Sequence, residues 1–400
     1  MGNQGAVRQI GESGRRGYAR LREAPIDEHL SRISELIEQV DAKLDGRGAK
    51  APVRECSVKP IHRSHLLSFL CLILVAPARA YQEMPPIGII DFYGLRTVSE
   101  AEVRQALQIT EGDSVSANSK TAQKRLEAIP GVEQARLEFT CCEAGKTILY
   151  VGIREKGSPA LRFRKAPTGK ISLPPEIVAA GDRFLDSLMQ AVKAGDVAED
   201  QSKGYALNHD PRLREIEERY IVFAHRYLRR LRLVLHNSSD SKQRALAAQV
   251  IAYASDKHAV IADLVWAMRD PSAEVRNNAM RALAVMARFA LGSPDQHLHI
   301  PMEPFVALLN SIDWTSRNKA SLALGQLTVH RDTALLSKLR EEALPALVEM
   351  SRWESPGHAG PPFFILGRVG GVPEDEIEAF WNRGDREGLI QRVVKAAKTK

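Results

Sequence analysis

The chain has 400 residues and only four cysteines, Cys56, Cys71, Cys141 and Cys142, so a disulfide-stapled small scaffold is excluded. It has no long hydrophobic run either. The most apolar stretch, Leu66 to Ala76, is 11 residues interrupted by Ser68, well short of the roughly 20 that a membrane-spanning helix needs. Motifs for common chemistry are also missing: there is no GxSxG, P-loop, HExxH or CxxC pattern, so no catalytic residue and no cofactor is assigned. Charge of one sign is not in great excess. The formal net charge is +7, but residues 1–80 hold 13 of the 56 Lys and Arg and 9 of the 49 Asp and Glu, leaving the remainder near +3. A dedicated nucleic-acid binder would concentrate a basic face, so nucleic acid is not expected as a partner.

The short apolar run has the flanks of an export signal. His62, Arg63 and His65 precede it, and Ala78, Arg79 and Ala80 form an A-x-A exit that predicts cleavage between Ala80 and Tyr81. Ser68, Phe69 and Leu70 put a bulky pair where a lipid-attachment signal at Cys71 would want small residues. Two explanations stand for residues 1–65. Translation starts downstream, at a codon such as Val53, Val58 or Leu66, or the segment is cytoplasmic and lies before an uncleaved anchor, the only way the membrane enters. The second reading draws on Ile26 to Leu44, where Leu30, Ile33, Ile37, Val40 and Leu44 fall at helical spacing. The first is preferred, since Gly- and Arg-rich flanks give that helix no neighbour to bury against. The expected location is the periplasm, with inner-membrane anchoring as the alternative. In an oxidising compartment Cys141 and Cys142 form a disulfide with each other, crosslink two chains or remain free thiols. Neighbours on an extended strand point to opposite faces, which favours one buried and one exposed thiol.

Residues 86–156 change pattern several times, the mark of a compact mixed domain. IGIIDFYG is a short strand ending at Gly94, and Ser99 followed by Glu102 is a capping-box signature for a helix to Leu107. A second helix spans about 117–129 and stops at Pro130 and Gly131, and VEQARLEFT and TILYVGIRE read as a hairpin of alternating strands. The order is β-α-α-β-β. With Gly94, Gly112, Asp113, Leu126, Gly131, Val132 and Glu155, this stretch resembles a POTRA domain. The resemblance implies a periplasmic module that receives partner chains at a sheet edge; the β-barrel that usually accompanies it in that family is missing. An exposed edge can accept a strand because its N–H and C=O groups are unpaired.

Residues 157–173 read as a linker and 194–211 as a mobile polar loop; helices are expected over 182–192 and 212–235. Self-similarity follows. RALAAQVI from Arg244, RNNAMRAL from Arg276 and RNKASLAL from Arg317 share Arg, a small residue three later (Ala247, Ala279, Ala320) and an apolar pair at six and seven. A fainter copy ends in ILGRV, Ile365 to Val369. Asp270 to Ala287, with the turn Asp270-Pro271, resembles a HEAT repeat, and the likeness extends over about 240–382. It implies an armadillo-like helical solenoid over 174–395, and a mostly α fold class overall: a HEAT-like α-solenoid preceded by the small POTRA-like domain. The arginines are read as a structural ladder that satisfies carboxylates such as Asp270 or helix-end carbonyls.

Three weaker patterns complete the reading. His297, His299 and Asp295 are a candidate metal site. Arg226, Arg229, Arg230 and Arg232 on one helix are a candidate patch for an anionic partner, offset by the acidic run Glu215, Glu217 and Glu218, which favours a solvated, salt-bridged face. Gly367 to Pro373 is a helix end and turn rather than a phosphate cradle. The function expected is an exported, non-enzymatic scaffold that binds envelope proteins or peptides. An envelope or secretion-assembly component acting through the POTRA-like domain is one alternative; a HEAT-type enzyme accessory or lyase-like protein is the other, although the His-Glu metal pairs of such lyases are not found. Expression of the full gene in its native host, with fractionation and intact-mass measurement, is expected to yield a soluble periplasmic species beginning at Tyr81. A membrane species retaining residues 1–65 would contradict this.

Overall fold

The computed structural model describes residues 84–398 apart from 116–118, 159 and 197. The apolar run, the cleavage site at Ala80 and Tyr81 and the stretch 26–44 lie outside the described residues. No helix among the described residues is long and apolar enough to cross a membrane.

The first elements are β1 (Ile87–Tyr93), α1 (Glu100–Leu107), α2 (Ser119–Glu127), β2 (Val132–Glu143) and β3 (Lys146–Glu155). The sheet order is β1-β3-β2, with β1 parallel and β2 antiparallel to the central β3. Ser99 starts α1 with the full capping box: its Oγ accepts from the Glu102 amide, and the Glu102 carboxylate accepts from the Ser99 amide. The turn from β1 to α1 is pinned from below. Glu155 accepts from the Thr97 hydroxyl and from the amides of Arg96, Thr97 and Val98, and against the opposing effect of burial these bonds pull its carboxyl down to about 2. Gly94 has φ +81°, and a Cβ there would meet the Ile153 carbonyl oxygen at 2.0 Å.

The central strand departs from the alternation expected of it. Thr147 to Ile153 are buried without a break. Leu149, Val151 and Ile153 pack under α1 and α2, whereas Ile148 and Tyr150, with Tyr93 of β1, belong to the core of the following helices. A strand covered on both faces loses its polar side.

Those helices are α3 (Pro175–Ala194), α4 (Pro211–Asn237), α5 (Ser241–Ile251), α6 (His258–Ala267), α7 (Ala273–Gly292), α8 (Glu303–Leu308), α9 (Trp314–Leu327), α10 (Thr333–Ser351), α11 (Pro356–Val369), α12 (Glu374–Asn382) and α13 (Arg386–Lys398). One layer is α5, α7, α9 and α11, packed side by side; α6, α8 and α10 accompany them. The chain is mostly α, a helical repeat array behind a small sheet. The fainter copy forms α11 despite Pro361 and Pro362 within it. Ala247, Ala279 and Ala320 are fully buried between neighbouring helices, where a larger side chain would hold them apart.

The arginines tie each repeat to the next. Arg244 makes a two-pronged pair with Asp270 at 2.8 Å for each contact, Arg276 reaches Asp313 at 2.5 Å, and Arg317 reaches Glu349 at 3.1 Å. Each also donates to the carbonyl six residues back in the turn before its own helix: Ser238, Asp270 and Ser311. One guanidinium thus closes its own turn and bonds the next repeat.

Two connections expected to be loose are held. Residues 157–173 run as a strap: the Arg164 amide donates to the Arg269 carbonyl at 2.9 Å, Gly169 pairs with Asn237 and Ser239, Arg164 lies over the Trp266 ring, and Phe163 lies under Arg276. The polar loop carries a two-stranded ribbon, β4 (Glu199–Asp200) and β5 (Leu207–Asn208), with Tyr205, Ala206 and Leu207 buried. Its composition hid these three anchors among charged residues.

Removing Asp270 strands a buried guanidinium. Asp270→Ala is expected to cost about 3–5 kcal/mol in urea unfolding, and Arg244→Met with Asp270→Leu much less, because no charge is then left unpaired.

Candidate functional site

The small sheet and the repeats meet at a polar and aromatic junction built from element ends. Asp313 precedes α9 and would ordinarily cap it, but its carboxylate is drawn away by Arg276 and by Arg136 of β2 at 3.1 Å. Glu138, two residues along β2, caps instead, accepting from the amides of Trp314 at 2.8 Å and Thr315 at 3.2 Å. Burial and the neighbouring Asp313 raise the Glu138 carboxyl above its ordinary range. Tyr150 stacks on Trp314 with ring centroids 4.6 Å apart and bonds His358 Nδ1 at 2.7 Å. Burial, with Lys319 nearby, pushes His358 down to about 4, so a neutral ring accepts from the tyrosine hydroxyl. Tyr93 donates to the Ile312 carbonyl at 2.7 Å, and Ser355 donates to Glu143 at 2.7 Å. Gly152 makes the approach possible: a Cβ there would meet the Ile312 carbonyl oxygen and the Tyr93 ring within 2.7 Å.

The sheet face is therefore occupied and its edges are what remain. On β2 the Ala135 amide donates to Glu127 at 3.2 Å. Backbone groups alternate sides along a strand, so Leu137 and Phe139 present theirs on the same outer edge.

A second surface lies on α7 and α9. Glu199 of the ribbon pairs with Arg281 on α7, next to Lys319 on α9. Lys319 is half-buried and has no ion pair or hydrogen bond among the described residues; loss of solvent and the Arg281 charge push it down to about 8. Beneath the ribbon, Glu217 accepts from the Asn208 amide at 2.5 Å, and burial raises its carboxyl to about 7. This buried role replaces the solvated acidic face expected around Glu217.

The remaining sequence candidates lie apart. His297 and His299 line a shallow, largely apolar depression of about 470 Å³ with His258, Val265 and Trp266, and Asp295 is not in it. No group of three His, Cys, Asp or Glu among the described residues is placed to hold a metal, which corrects that candidate: alternate loop residues are spread along a wall rather than gathered on a point. Arg226, Arg229 and Arg230 are exposed on α4, although Arg230 donates to the Ser172 carbonyl, while Arg232 is committed to Asp263. Cys141 and Cys142 are both exposed and bonded to one another across a cis peptide. The uniform extended geometry assumed for them is broken by a register shift between Cys141 and Glu143. Sequence reasoning missed Glu138, Asp313, Tyr150, His358 and Lys319. Arg136 and Glu138 stand at alternate positions of β2, but that polar stripe is indistinguishable in sequence from one facing water.

No protein-family model matches the chain, and no curated protein does. Among solved structures it is similar in part to the designed armadillo repeat protein YIII(Dq)4CqI, at 16% identity over 47% of this chain and 94% of that one, with a TM-score of 0.31. An engineered protein gives 17% identity, 47% and 91% coverage and a TM-score of 0.31. The designed armadillo repeat protein YIII(Dq.V1)4CPAF in complex with peptide (KR)4 gives 16%, 47%, 95% and 0.31.

Asp91 supplies a pH test of the junction. It accepts from the Glu354 amide at 3.1 Å, and burial raises its carboxyl to about 7. The folded protein keeps a proton there that the unfolded chain releases above about pH 4, so stability falls between about pH 4 and 7. Asp91→Asn is expected to flatten that fall and to stabilise at pH 7.5 by on the order of 1–4 kcal/mol in urea unfolding, with Glu217 leaving a residual slope.

Proposed function

We propose that the protein is a non-enzymatic, protein-binding scaffold, exported by the segment 66–80, whose repeat face at Lys319 receives an acidic extended segment of an envelope protein. The carrying observation is Lys319, a half-buried lysine beside an arginine whose own charge is already met by Glu199. Partial burial and the adjacent Arg281 disfavour its charged form, and a ligand carboxylate offsets both. Leu322, one turn along α9, is half-buried and offers an apolar neighbour to the same segment. The leader motif supports a periplasmic location, with inner-membrane anchoring as the other outcome.

A second reading, an envelope or secretion-assembly component, is favoured by the outer edge of β2 at Leu137 and Phe139. An added strand there would pair backbone to backbone. The lyase-like reading has no such support in the arrangement of the described residues.

A fluorescent peptide of alternating Glu and Leu tests the first reading by anisotropy. Binding is expected to be saturable, to weaken as pH rises through about 8 where Lys319 loses its proton, and to fall about tenfold or more in Lys319→Met. Equal affinity in Lys319→Met, or no binding by folded wild type, would overturn it.

A further inference from the structure

The junction between the sheet and the repeats encloses a cleft of about 320 Å³. Its walls come from the turn after β1, from β2 and β3, from the strap, and from the turn into α9. Four guanidiniums line it, Arg96, Arg136, Arg154 and Arg317, against a single carboxylate, Asp313. That carboxylate is already divided between Arg136 and Arg276. Arg317 at the base has Glu349, and Arg154 reaches Glu133 on its outer side at 3.3 Å. Two donors remain unanswered among the described residues. The Arg96 side chain has no acceptor, and Arg154 Nε is buried without one.

Arg96 and Arg136 are exposed at the mouth, whereas Arg154 Nε is buried without an acceptor, which is unfavourable. A multiply charged anion removes that penalty and gathers the neighbouring guanidiniums at the same time. We propose that this cleft binds a small molecule bearing a phosphate group. A phosphate offers oxygens in several directions and a charge of about −1.5 to −2 near neutrality, which suits guanidiniums arriving from separate elements better than one flat carboxylate does. The size is at the small end of ligand pockets, which suits a small molecule rather than a stretch of protein. Leu161 and Phe163 of the strap form an apolar wall for the group that carries the phosphate. Since Arg96, Arg136 and Arg154 belong to the small module and Arg317 to the repeats, the ligand would brace the junction itself.

Calorimetric titration of the full chain with phenyl phosphate, inorganic phosphate and succinate tests this. Phenyl phosphate is expected to bind most tightly, inorganic phosphate more weakly and succinate least. Arg96→Gln and Arg154→Gln should each lose about tenfold or more in affinity, whereas Arg229→Gln, on the exposed side of α4, should lose none. Because the Arg96 side chain has no protein acceptor, R96Q is expected to melt as wild type does without ligand, which separates lost binding from lost folding. Absence of saturable binding by either phosphate, equal affinity in R96Q and R154Q, or succinate binding as tightly as phenyl phosphate would overturn the proposal.

Discussion

Burial of the second face of the small sheet against the turns into α9 and α11 is the constraint on which the rest of the structure depends. A three-stranded sheet with two short helices is a marginal folding unit, since it covers little apolar area relative to its length. Tyr93, Ile148 and Tyr150 give it a second core by entering that of the repeats. The contact is polar as well as apolar, and four polar pairings cross it: Glu138 caps α9, Asp91 meets the Glu354 amide, Glu143 meets Ser355, and Tyr150 meets His358. Such a junction is specific, because sliding the sheet by one residue would strand several of these groups together.

The arginine ladder provides the surface that the sheet rests on. Arg276 fixes Asp313, Asp313 also holds Arg136, and the loss of Asp313 as a cap leaves the α9 amides to Glu138. A bond that joins two repeats therefore also prepares the landing site for the module. The strap adds a further tie, with Phe163 beneath the same Arg276. The cleft and the Lys319 surface both follow from this frame: one lies where three segments converge, the other where the ribbon stops short of α9.

Much of the local structure was legible in the sequence because it is written within a few residues. Ser99 and Glu102 announce a capping box, and Arg followed by Ala three later, recurring at 244, 276 and 317, announces a repeat. What could not be read depends on groups far apart in the chain. The continuous burial of β3 has its cause in Trp314 and Trp353, and the ordering of the polar loop in Tyr253, whose hydroxyl donates to the Ala206 carbonyl. Lys319 looks like any surface lysine until Arg281 and Glu199 are seen beside it. His297, His299 and Asp295 failed as a metal site for the opposite reason, since proximity in sequence did not become convergence in space.

Native-state hydrogen exchange in low urea measures directly whether the sheet and the repeats form one cooperative body. The amides of Leu149 and Val151 in β3 are expected to open with the same free energy and the same urea dependence as those of Ala320 and Leu324 in α9. Opening of β3 at distinctly lower free energy, with α9 still protected, would show a module that merely leans on the repeats and would contradict a single cooperative body.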